Sequence, residues 1–349
     1  MFDSYNAFTD LTYWNGYYWL VFRTGEGHVS PNGKIVVYRS TDAENWDEIQ
    51  KISQNGLDLR DPRVVIMDNC VFILCFSLRY GVPGKSTRFV PHDSFLFKWN
   101  GEEFTEHHVF DYDRFSMILW DMAKIRDKYY IGGYGFELGH REFSLMRSDS
   151  IKGRYRRVTS LASVPLPPNL GINEVDFVRE NGDLLYLLCR IDRDSKNRVD
   201  RKNRKAARRA YRRRKKANKI KPAKRRHNYF GIAKAKHPFE QWNTDLIRKY
   251  VKGPRGILYN GKLLVCARYK EKRQTRRSVM LFEYWKNDLK PLLTLGTGND
   301  GSYAGLTLNP SNHDELIISF YSDHARVGTS KQGKFNDIWI ARVRLSEDH

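Results

Sequence analysis

Short apolar runs separated by tight polar turns make up almost the whole chain. Runs such as YYWLVFR and KIVVYRS have the length and the β-branched and aromatic content of buried strands, and turn sequences rich in Asn, Asp and Gly separate them. Helical periodicity is almost absent from the sequence. We therefore predict an all-β protein.

The strands fall into a repeated unit. Each unit has an apolar strand, a tight turn, a second apolar strand and a third strand that ends near an aromatic residue, and the unit recurs at roughly 45 to 55 residues. A repeat of this kind is typical of a β-propeller. We predict one six-bladed β-propeller domain over residues 1–349, with one blade closed by strands from both termini. Two β-sandwich domains are the alternative, but neither a linker nor a break in composition divides the chain.

Polar residues cluster at the predicted ends of the innermost strands, which line a central funnel in a propeller. Between residues 173 and 190 a carboxylate begins one strand and a guanidinium ends the next, so a hairpin places both at one sheet edge. Such a pair is either a structural ion pair or part of a site. Similar clusters at other strand ends favour a site, and its candidate residues are Asp10, Arg23, His28, Arg60, Asp61, Asp121, Glu174, Arg190, Arg255, Arg268, Asp300, Tyr303 and His324.

Several motifs resemble those of the sialidase superfamily. Residues 40–46, STDAENW, match the S-x-D-G-x-x-W pattern of the Asp box, the turn between the outer strands of sialidase blades, with Ala43 at the usual Gly position. In sialidases a Glu precedes an Arg by one hairpin, a second Arg closes a later blade, and a Tyr begins the last blade. Glu174, Arg190, Arg268 and Tyr303 follow that order here. The segments FTDL, FRTGEGH, LRDP and GNDGSYAGL are similar to those of poorly characterised bacterial and phage exo-sialidase-like propellers.

The resemblance implies a sialidase-like glycoside hydrolase that acts on an acidic sugar. Tyr303 would be the nucleophile, Glu174 the base that polarises its phenol, and the arginines a clamp on a substrate carboxylate. A phenol with a pKa near 10 needs such a base at neutral pH, and the guanidinium fork of arginine binds both oxygens of a carboxylate. Asp61 is our candidate for the general acid, and Asp10 is a further catalytic candidate.

The first blade departs from the sialidase pattern. Sialidases have an Arg-Ile-Pro turn where this chain has Phe8-Thr9-Asp10, and their acid/base Asp lies near the position of Arg23. Either the carboxylate-binding site is rebuilt around Arg23 and Arg60, or the substrate is not a sialic acid.

Two other functions remain open. The carboxylates of Asp10, Asp61 and Glu174 have the chain order of the catalytic acids in five-bladed furanosidase-type glycosidases, although six repeats and Tyr303 argue against that fold. The protein could also be a carbohydrate- or polyanion-binding propeller without catalysis, for example a viral or phage structural protein.

The basic charge is concentrated in one insertion. The whole chain has a net charge of +21, and the segment from Arg190 to Arg226 alone contributes +17. We predict that residues 192–226 form a basic insertion in blade four, with a helix or a hairpin of helices that ends before Pro222. We expect this insertion to bind a polyanion such as nucleic acid, an anionic glycan or lipopolysaccharide. A solvated arm without a partner is the alternative. The residues expected to bind the polyanion are Arg208, Arg209, Arg212, Arg213, Arg214, Lys215 and Lys216.

Cysteines and targeting signals limit the remaining possibilities. The four cysteines lie in or beside apolar runs without metal-ligand spacing, so we expect buried thiols in a reducing compartment. The sequence shows no secretion signal, no membrane-spanning run and no metal-binding motif. We expect a protein without metal or cofactor that is cytoplasmic or virion-associated.

Overall fold

The computed structural model describes residues 4–80, 89–110, 117–137, 140–160, 170–180, 183–193, 229–271, 276–326 and 335–345. Within them the chain forms six antiparallel sheets of consecutive strands. The predicted insertion lies almost wholly outside the described residues, including all seven of its candidate polyanion-binding residues.

Blades one to three each contain four strands. Those of blade one are β1 (Tyr5–Trp14), β2 (Tyr17–Gly25), β3 (Lys34–Ser40) and β4 (Asp47–Ile52). Those of blade two are β5 (Leu57–Met67), β6 (Cys70–Tyr80), β7 (Phe89–Trp99) and β8 (Phe104–Phe110). Those of blade three are β9 (Met117–Ile125), β10 (Lys128–Glu137), β11 (His140–Ser148) and β12 (Arg156–Ser160).

Blades four and five also contain four strands, whereas the described part of blade six contains three. The strands of blade four are β13 (Leu170–Glu180), β14 (Leu184–Arg193), β15 (Tyr229–Lys236) and β16 (Asn243–Ile247). Those of blade five are β17 (Val251–Tyr259), β18 (Lys262–Tyr269), β19 (Arg277–Trp285) and β20 (Asp288–Gly298). Those of blade six are β21 (Gly301–Asn309), β22 (Asn312–Ser322) and β23 (Asp337–Arg344), with a short 3₁₀ helix at His324–Arg326.

The six sheets close into a ring. The first strand of each blade contacts the first strand of the next blade, and β21 of blade six contacts β1 of blade one. The prediction of a six-bladed β-propeller is therefore confirmed.

The closure of the ring differs from the prediction. The described strands of blade one all come from the N-terminal part of the chain and those of blade six from the C-terminal part, so no described sheet combines the two. A single parallel bridge between Tyr5 and Asn336 connects them at the edge. Packing between β1 and β21 takes the place of a shared blade.

Apolar side chains fill the space between neighbouring blades. Successive residues of a strand point to opposite faces, so each blade packs against both neighbours. In β2, Trp19 and Val21 pack against blade two, whereas Leu20 and Phe22 pack in the cluster that contains Ile317 of blade six. This two-sided burial explains why the inner strands have nearly continuous apolar runs.

The turn between β3 and β4 is capped by its own side chains. The Asp42 carboxylate accepts the backbone N–H groups of Glu44 and Asn45, each at 2.8 Å. Ala43, at the position where glycine is usual, has a φ of 60°. Trp46 packs against the apolar cluster between blades six and one.

A bulge recurs near the beginning of every innermost strand. At each bulge the pairing with the second strand shifts register, and one or two residues have no partner across the ladder. A bulge redirects side chains that a regular strand would leave facing the neighbouring blade. The residues at the bulges are Phe8 and Thr9, Asp61 and Pro62, Trp120, Asn173 and Glu174, Gly253 and Pro254, and Tyr303 and Ala304.

Charged residues just after five of these bulges meet near the axis. We call Asp10, Arg63, Asp121, Asp176 and Arg255 the central ion cluster. Arg255 donates to Asp176 at 2.5 Å and to Asp10 at 3.1 Å, and it lies 3.7 Å from Asp121. Arg63 lies 3.9 Å from Asp10. Mutual pairing is what allows charges to be buried at this depth.

Each carboxylate of the central ion cluster also accepts a backbone N–H from the next blade. Asp10 accepts that of Val64 at 2.9 Å, Asp121 that of Phe177 at 2.8 Å, and Asp176 that of Gly256 at 2.7 Å. Blade six has Gly305 after its bulge, and there the backbones of blades six and one meet directly. A Cβ atom added to Gly305 would lie 1.9 Å from the backbone nitrogen of Leu11.

We expect the substitution Gly305→Ala to destabilise the protein by roughly 3 kcal/mol or more, because no flexible side chain can move away from the new methyl group. Urea denaturation would measure the loss. Gly27→Ala is the matched control, since its Cβ would have Val29 O at 3.9 Å as its closest neighbour. Equal stability of the two variants would contradict the direct backbone contact between blades six and one.

Candidate active site

Tyr303, Glu174 and Arg190 form the centre of the candidate site. Tyr303 donates its phenolic hydrogen to Oε1 of Glu174, and Nη1 of Arg190 donates to the same oxygen. The other oxygen, Oε2, accepts the backbone N–H of Gly253 at 2.9 Å. Three donors from blades four, five and six therefore fix one carboxylate.

The backbone at Tyr303 is held in a conformation that few side-chain-bearing residues adopt. Its φ is 44°, in the left-handed region. Thr9 of blade one donates its hydroxyl to the carbonyl oxygen of Tyr303 at 2.6 Å, and Ser319 donates to Thr9 at 3.2 Å. Ser319 in turn accepts the backbone N–H of Gly305 at 3.1 Å. Strain of this kind persists only where the surroundings fix it, as this network does.

The Tyr303 ring lies among other aromatic rings. Its centroid is 5.1 Å from that of Phe8 and 6.3 Å from those of Trp120 and Tyr321. Burial, together with the negative charge of Glu174, raises the pKa of the Tyr303 phenol well above its ordinary value. The phenol therefore keeps its proton at neutral pH, and Glu174 is positioned to accept that proton.

Asp61 faces the same site from blade two. Its φ is 48°, and Oδ1 is buried without a hydrogen-bond partner among the described residues. Burial raises the pKa of Asp61 to about 6, even though Nε of Arg60, at 3.7 Å, acts in the opposite direction. The charge of Asp61 also contributes to the raised pKa of Tyr303. Asp61 thus has the properties of a carboxylic acid that can hold a proton near neutral pH.

Arg60 lies beside Asp61, whereas Arg23 lies beneath the site. Arg60 donates to the carbonyl oxygen of His28 at 2.6 Å, and its guanidinium stacks 4.8 Å from the ring centre of Phe8. The side chain of Arg23 is fully buried and donates to Asp58 at 2.7 Å. Asp58 also pairs with Arg60 at 3.2 Å. We infer that Arg23 positions Arg60 through Asp58, which differs from the ligand contact expected from the sequence.

Arg268 and Asp300 form a second ion pair at the site. Arg268 donates to Asp300 at 2.9 Å and to the Tyr321 hydroxyl at 2.9 Å. Asp300 also accepts a hydrogen bond from Tyr5 of blade one. The Tyr5 hydroxyl lies 2.8 Å from Nδ1 of His28, so these residues connect blades five, six and one.

Arg190 connects Glu174 to a further carboxylate. Its Nη2 lies 2.8 Å from Asp192, which also accepts a hydrogen bond from Asn173 at 2.7 Å and pairs with Lys252 at 3.1 Å. Nε of Arg190 is buried without a hydrogen-bond partner among the described residues. Nη1 and Nη2 of Arg190 thus make its contacts with the described carboxylates.

Four of the residues predicted from the sequence lie elsewhere. Asp10, Asp121 and Arg255 belong to the central ion cluster, where their pairing between blades gives them a structural role. His324 packs its ring 4.4 Å from that of Trp339 in blade six. The contacts described above link the other nine candidates to one another. Arg23 is linked to the rest through Asp58 and Arg60.

Sequence reasoning missed several side chains at the site. Tyr5, Phe8, Trp120, Tyr321 and Lys252 contact the residues described above but were not among the candidates. One signal could have identified Phe8, because this bulge residue precedes the charged Asp10 by two positions. The same spacing relates Asp61 to Arg63 and Gly253 to Arg255.

Two searches of the described residues gave negative results. No helix among them is long and apolar enough to cross a membrane. In the same part of the chain, no group of three or more His, Cys, Asp or Glu side chains is arranged to hold a metal ion.

Fold and site together define a six-bladed β-propeller with a tyrosine–glutamate pair at the bulges of its inner strands. No protein-family model matches the chain, and no curated protein matches it by sequence. Comparisons with known proteins therefore rest on solved structures.

Solved structures of glycan-cleaving enzymes share the fold. The chain superposes on the phage phi92 endosialidase with a TM-score of 0.68 and 9% identity, over 99% of this chain and 68% of that one. Trypanosoma rangeli sialidase in complex with the inhibitor DANA gives 0.61 and 10%, over 97% and 55%. Penicillium chrysogenum α-L-arabinanase complexed with arabinobiose gives 0.58 and 10%, over 98% and 94%. The chain thus spans about half the length of the sialidase, and the resemblance to sialidase propellers is confirmed at the level of the fold.

We expect Asp61→Asn to stabilise the protein at pH 7. Because its pKa is raised to about 6 in the folded state, Asp61 binds more protons there than in the unfolded chain, and stability falls as pH rises from about 4 to 6. Ionising it costs roughly 2 to 3 kcal/mol, at about 1.4 kcal/mol per pKa unit. Asparagine also tolerates a positive φ.

Urea denaturation of wild type and Asp61→Asn from pH 4 to pH 8 would measure this effect. The variant should gain stability relative to wild type as pH rises and should show little difference near pH 4. A variant that is less stable than wild type at pH 7 would show that the ionised Asp61 carboxylate does not destabilise the folded protein.

Proposed function

We propose that this protein is a glycoside hydrolase that cleaves an acidic sugar at the candidate active site, with chemistry like that of sialidases. The observation that carries the proposal is the hydrogen bond from the Tyr303 phenol to Glu174. The fold shared with endosialidase, sialidase and arabinanase structures supports it.

The first step is attack by Tyr303 on the anomeric carbon. As the new bond forms, the phenolic proton passes to Glu174, so the nucleophile never exists as a free phenolate. The bond from the anomeric carbon to the leaving oxygen breaks, and that oxygen takes the proton of Asp61. The product of this step is a covalent glycosyl–tyrosine intermediate.

The second step reverses the proton transfers. Asp61, now ionised, takes a proton from water as the water oxygen attacks the anomeric carbon, and Glu174 returns its proton to the departing Tyr303 oxygen. Two displacements at one carbon retain its configuration.

The nucleophile itself favours an acidic substrate. A neutral phenol can approach an anomeric carbon that bears a carboxylate, whereas a carboxylate nucleophile would be repelled by it. The side chain of Arg190 is 20% exposed beside Glu174, and that of Arg268 is 13% exposed beside the Tyr321 hydroxyl. Both guanidiniums suit a substrate carboxylate.

One observation favours the alternative, a propeller that binds a glycan without cleaving it. Phe8 stands where the resemblance expects the first arginine, and the buried Arg23 stands near the expected acid. If Asp61 does not replace that acid, the site binds but does not turn over. Polyanion binding by residues 192–226 stays a prediction from the sequence.

We expect Tyr303→Phe to lower hydrolysis of an acidic aryl glycoside by roughly 10³-fold or more, since it removes the nucleophile. Glu174→Gln should cost roughly 10² to 10⁴-fold, the usual contribution of a general base. The measurement is turnover of a panel of aryl sialosides, uronides and furanosides.

The chain offers a matched control for these two variants. Tyr186 donates to Glu180 at 3.1 Å in blade four, which is the same kind of pair outside the site. Tyr186→Phe and Glu180→Gln should leave turnover close to that of wild type. If wild type binds the glycosides but hydrolyses none of them, the alternative function is correct.

We expect kcat/KM to fall about tenfold for each pH unit above the Asp61 pKa of about 6, because the acid form is lost there. Asp61→Asn should abolish this limb. It should also slow cleavage of a methyl glycoside by roughly 10² to 10⁴-fold and of a nitrophenyl glycoside far less, since nitrophenolate leaves without a proton. Equal losses on both substrates would exclude Asp61 as the general acid.

A further inference from the structure

His28, Tyr5 and Asp300 form a chain of hydrogen bonds at the edge of the candidate active site. The Tyr5 hydroxyl lies 2.8 Å from Nδ1 of His28 and also donates to Oδ2 of Asp300. Asn336 donates to the same Asp300 oxygen at 3.3 Å, and Arg268 donates to the other at 2.9 Å. The proposed mechanism uses none of these contacts.

Counting protons along this chain fixes the state of the imidazole. An ionised carboxylate accepts hydrogen bonds and cannot donate them, so the single hydroxyl proton of Tyr5 must point to Asp300. The Tyr5 oxygen can then meet Nδ1 of His28 at hydrogen-bond distance only if Nδ1 carries a proton. A neutral imidazole with hydrogen on Nδ1 has its lone pair on Nε2.

The environment of each group supports this assignment. Burial opposes the charged form of Asp300, but the charge of Arg268 and the hydrogen bond from Tyr5 outweigh it and lower the pKa of Asp300. Burial, with the charges of Tyr321 and Asp300, raises the pKa of Tyr5, so the phenol stays protonated. Burial and the neighbouring Arg60 lower the pKa of His28 to about 4, so its ring is neutral above that pH.

The imidazole is also fixed in place, and one aromatic ring, that of Phe8, lies in contact with both it and Tyr303. The centroid of the imidazole is 5.6 Å from that of Phe8, whose ring contacts that of Tyr303 at 5.1 Å. Arg60 donates to the His28 carbonyl oxygen at 2.6 Å and so holds the backbone. One edge of the imidazole is packed against Tyr5 and Phe8, but His28 as a whole residue is exposed, and no described residue is hydrogen-bonded to its Nε2.

We propose that Tyr5 and Asp300 hold His28 in the Nδ1–H tautomer so that Nε2 accepts a hydrogen bond from a hydroxyl group of the bound sugar. A neutral acceptor disfavours a carboxylate and selects a hydroxyl group. The arginines of the site, in contrast, favour a carboxylate. His28 is then a specificity-determining residue that shares the Phe8 ring as a neighbour with the nucleophile. This inference rests on the proposed function only in taking the ligand to be a sugar.

The tautomer can be tested without any substrate. Long-range ¹H–¹⁵N correlation spectra of the full chain at pH 6 to 7 distinguish a protonated from an unprotonated ring nitrogen. We expect His28 to show protonated Nδ1 and unprotonated Nε2 in wild type, and a mixture of tautomers in Tyr5→Phe. Protonated Nε2 in wild type, or an unchanged spectrum in Tyr5→Phe, would overturn the proposal.

Binding of sugars tests the role of Nε2. We would titrate Tyr303→Phe, which removes the nucleophile, with the methyl glycosides of a sialic acid, a glucuronic acid and an arabinofuranose. Adding His28→Phe should weaken binding of the glycoside that binds best by roughly fivefold to tenfold, the value of one hydrogen bond. His28→Gln, which keeps an acceptor near the position of Nε2, should restore part of the loss.

Deoxy analogues identify the hydroxyl group. One monodeoxy analogue of the best glycoside should bind equally well whether or not the protein carries His28→Phe, because the hydrogen bond is already absent. His313→Phe, at an exposed position near the start of β22, is the control and should not change binding. If His28→Phe weakens every analogue equally, or if none of the glycosides shifts the Nε2 resonance, the acceptor role is overturned.

These results are distinguishable from failure of the proposed function. A wild-type protein that binds a glycoside through Nε2 but hydrolyses nothing would support the inference and contradict the hydrolase. Hydrolysis that is unaffected by His28→Phe would support the hydrolase and contradict the inference.

Discussion

Hydrogen bonds that backbone amides of one blade donate to carboxylates of the preceding blade are the interaction on which the propeller depends. The innermost strand of each blade is a sheet edge, so some of its backbone amides have no partner in its own sheet, and such groups are costly to bury. Asp10, Asp121 and Asp176 satisfy amides across three of the blade boundaries, and Arg63 and Arg255 balance most of the charge this introduces. The ring is thus joined at its axis by directional bonds, while apolar packing between blades supplies the bulk of the buried area. The boundary between blades six and one lacks a carboxylate of this kind among the described residues, and backbone contact at Gly305 takes its place.

The bulges of the inner strands create the candidate site. A regular strand would direct Asp61 and Tyr303 into the interfaces between blades, but their positive φ values direct them to a common space above the central ion cluster. Glu174 shows how closely the two roles are related, because it caps the amide of Gly253 on the next blade and also binds the Tyr303 phenol. Its carboxylate is therefore rigid before any ligand arrives, which is the preorganisation that proton transfer requires. The repeated β-bulge of the inner strands therefore contributes both to the contacts between blades and to the candidate site.

The sequence predicted the fold because strand length, turn composition and the repeat are local features, and six repeats left little choice of architecture. It also proposed Tyr303, Glu174, Arg190 and Arg268, whose order along the chain resembles that of sialidases. It could not separate candidate site from scaffold among the remaining charges. Two charged residues at one bulge, such as Asp61 and Arg63, both look like site residues in sequence, and only the bulge decides where each side chain points. Arg23 shows the same ambiguity, since a guanidinium buried under Asp58 and one that contacts a ligand have the same signature in sequence. The prediction of one blade shared by both termini was wrong, because the number of strands does not reveal between which strands the ring closes.

Ion pairing at the site sets the conditions under which an acidic sugar can bind. Arg190 is held by Glu174 and Asp192, and Arg268 by Asp300, so both guanidiniums are oriented and partly dehydrated in advance. A ligand carboxylate gains from these fixed donors but is repelled by the carboxylates that orient them. Ionised Asp61 adds a further negative charge at the site, and with its pKa raised to about 6 its protonation removes that charge close to neutral pH. Because the acid form of Asp61 both lowers the repulsion and supplies the proton for the leaving group, binding and cleavage of an acidic sugar would be favoured by the same protonation state.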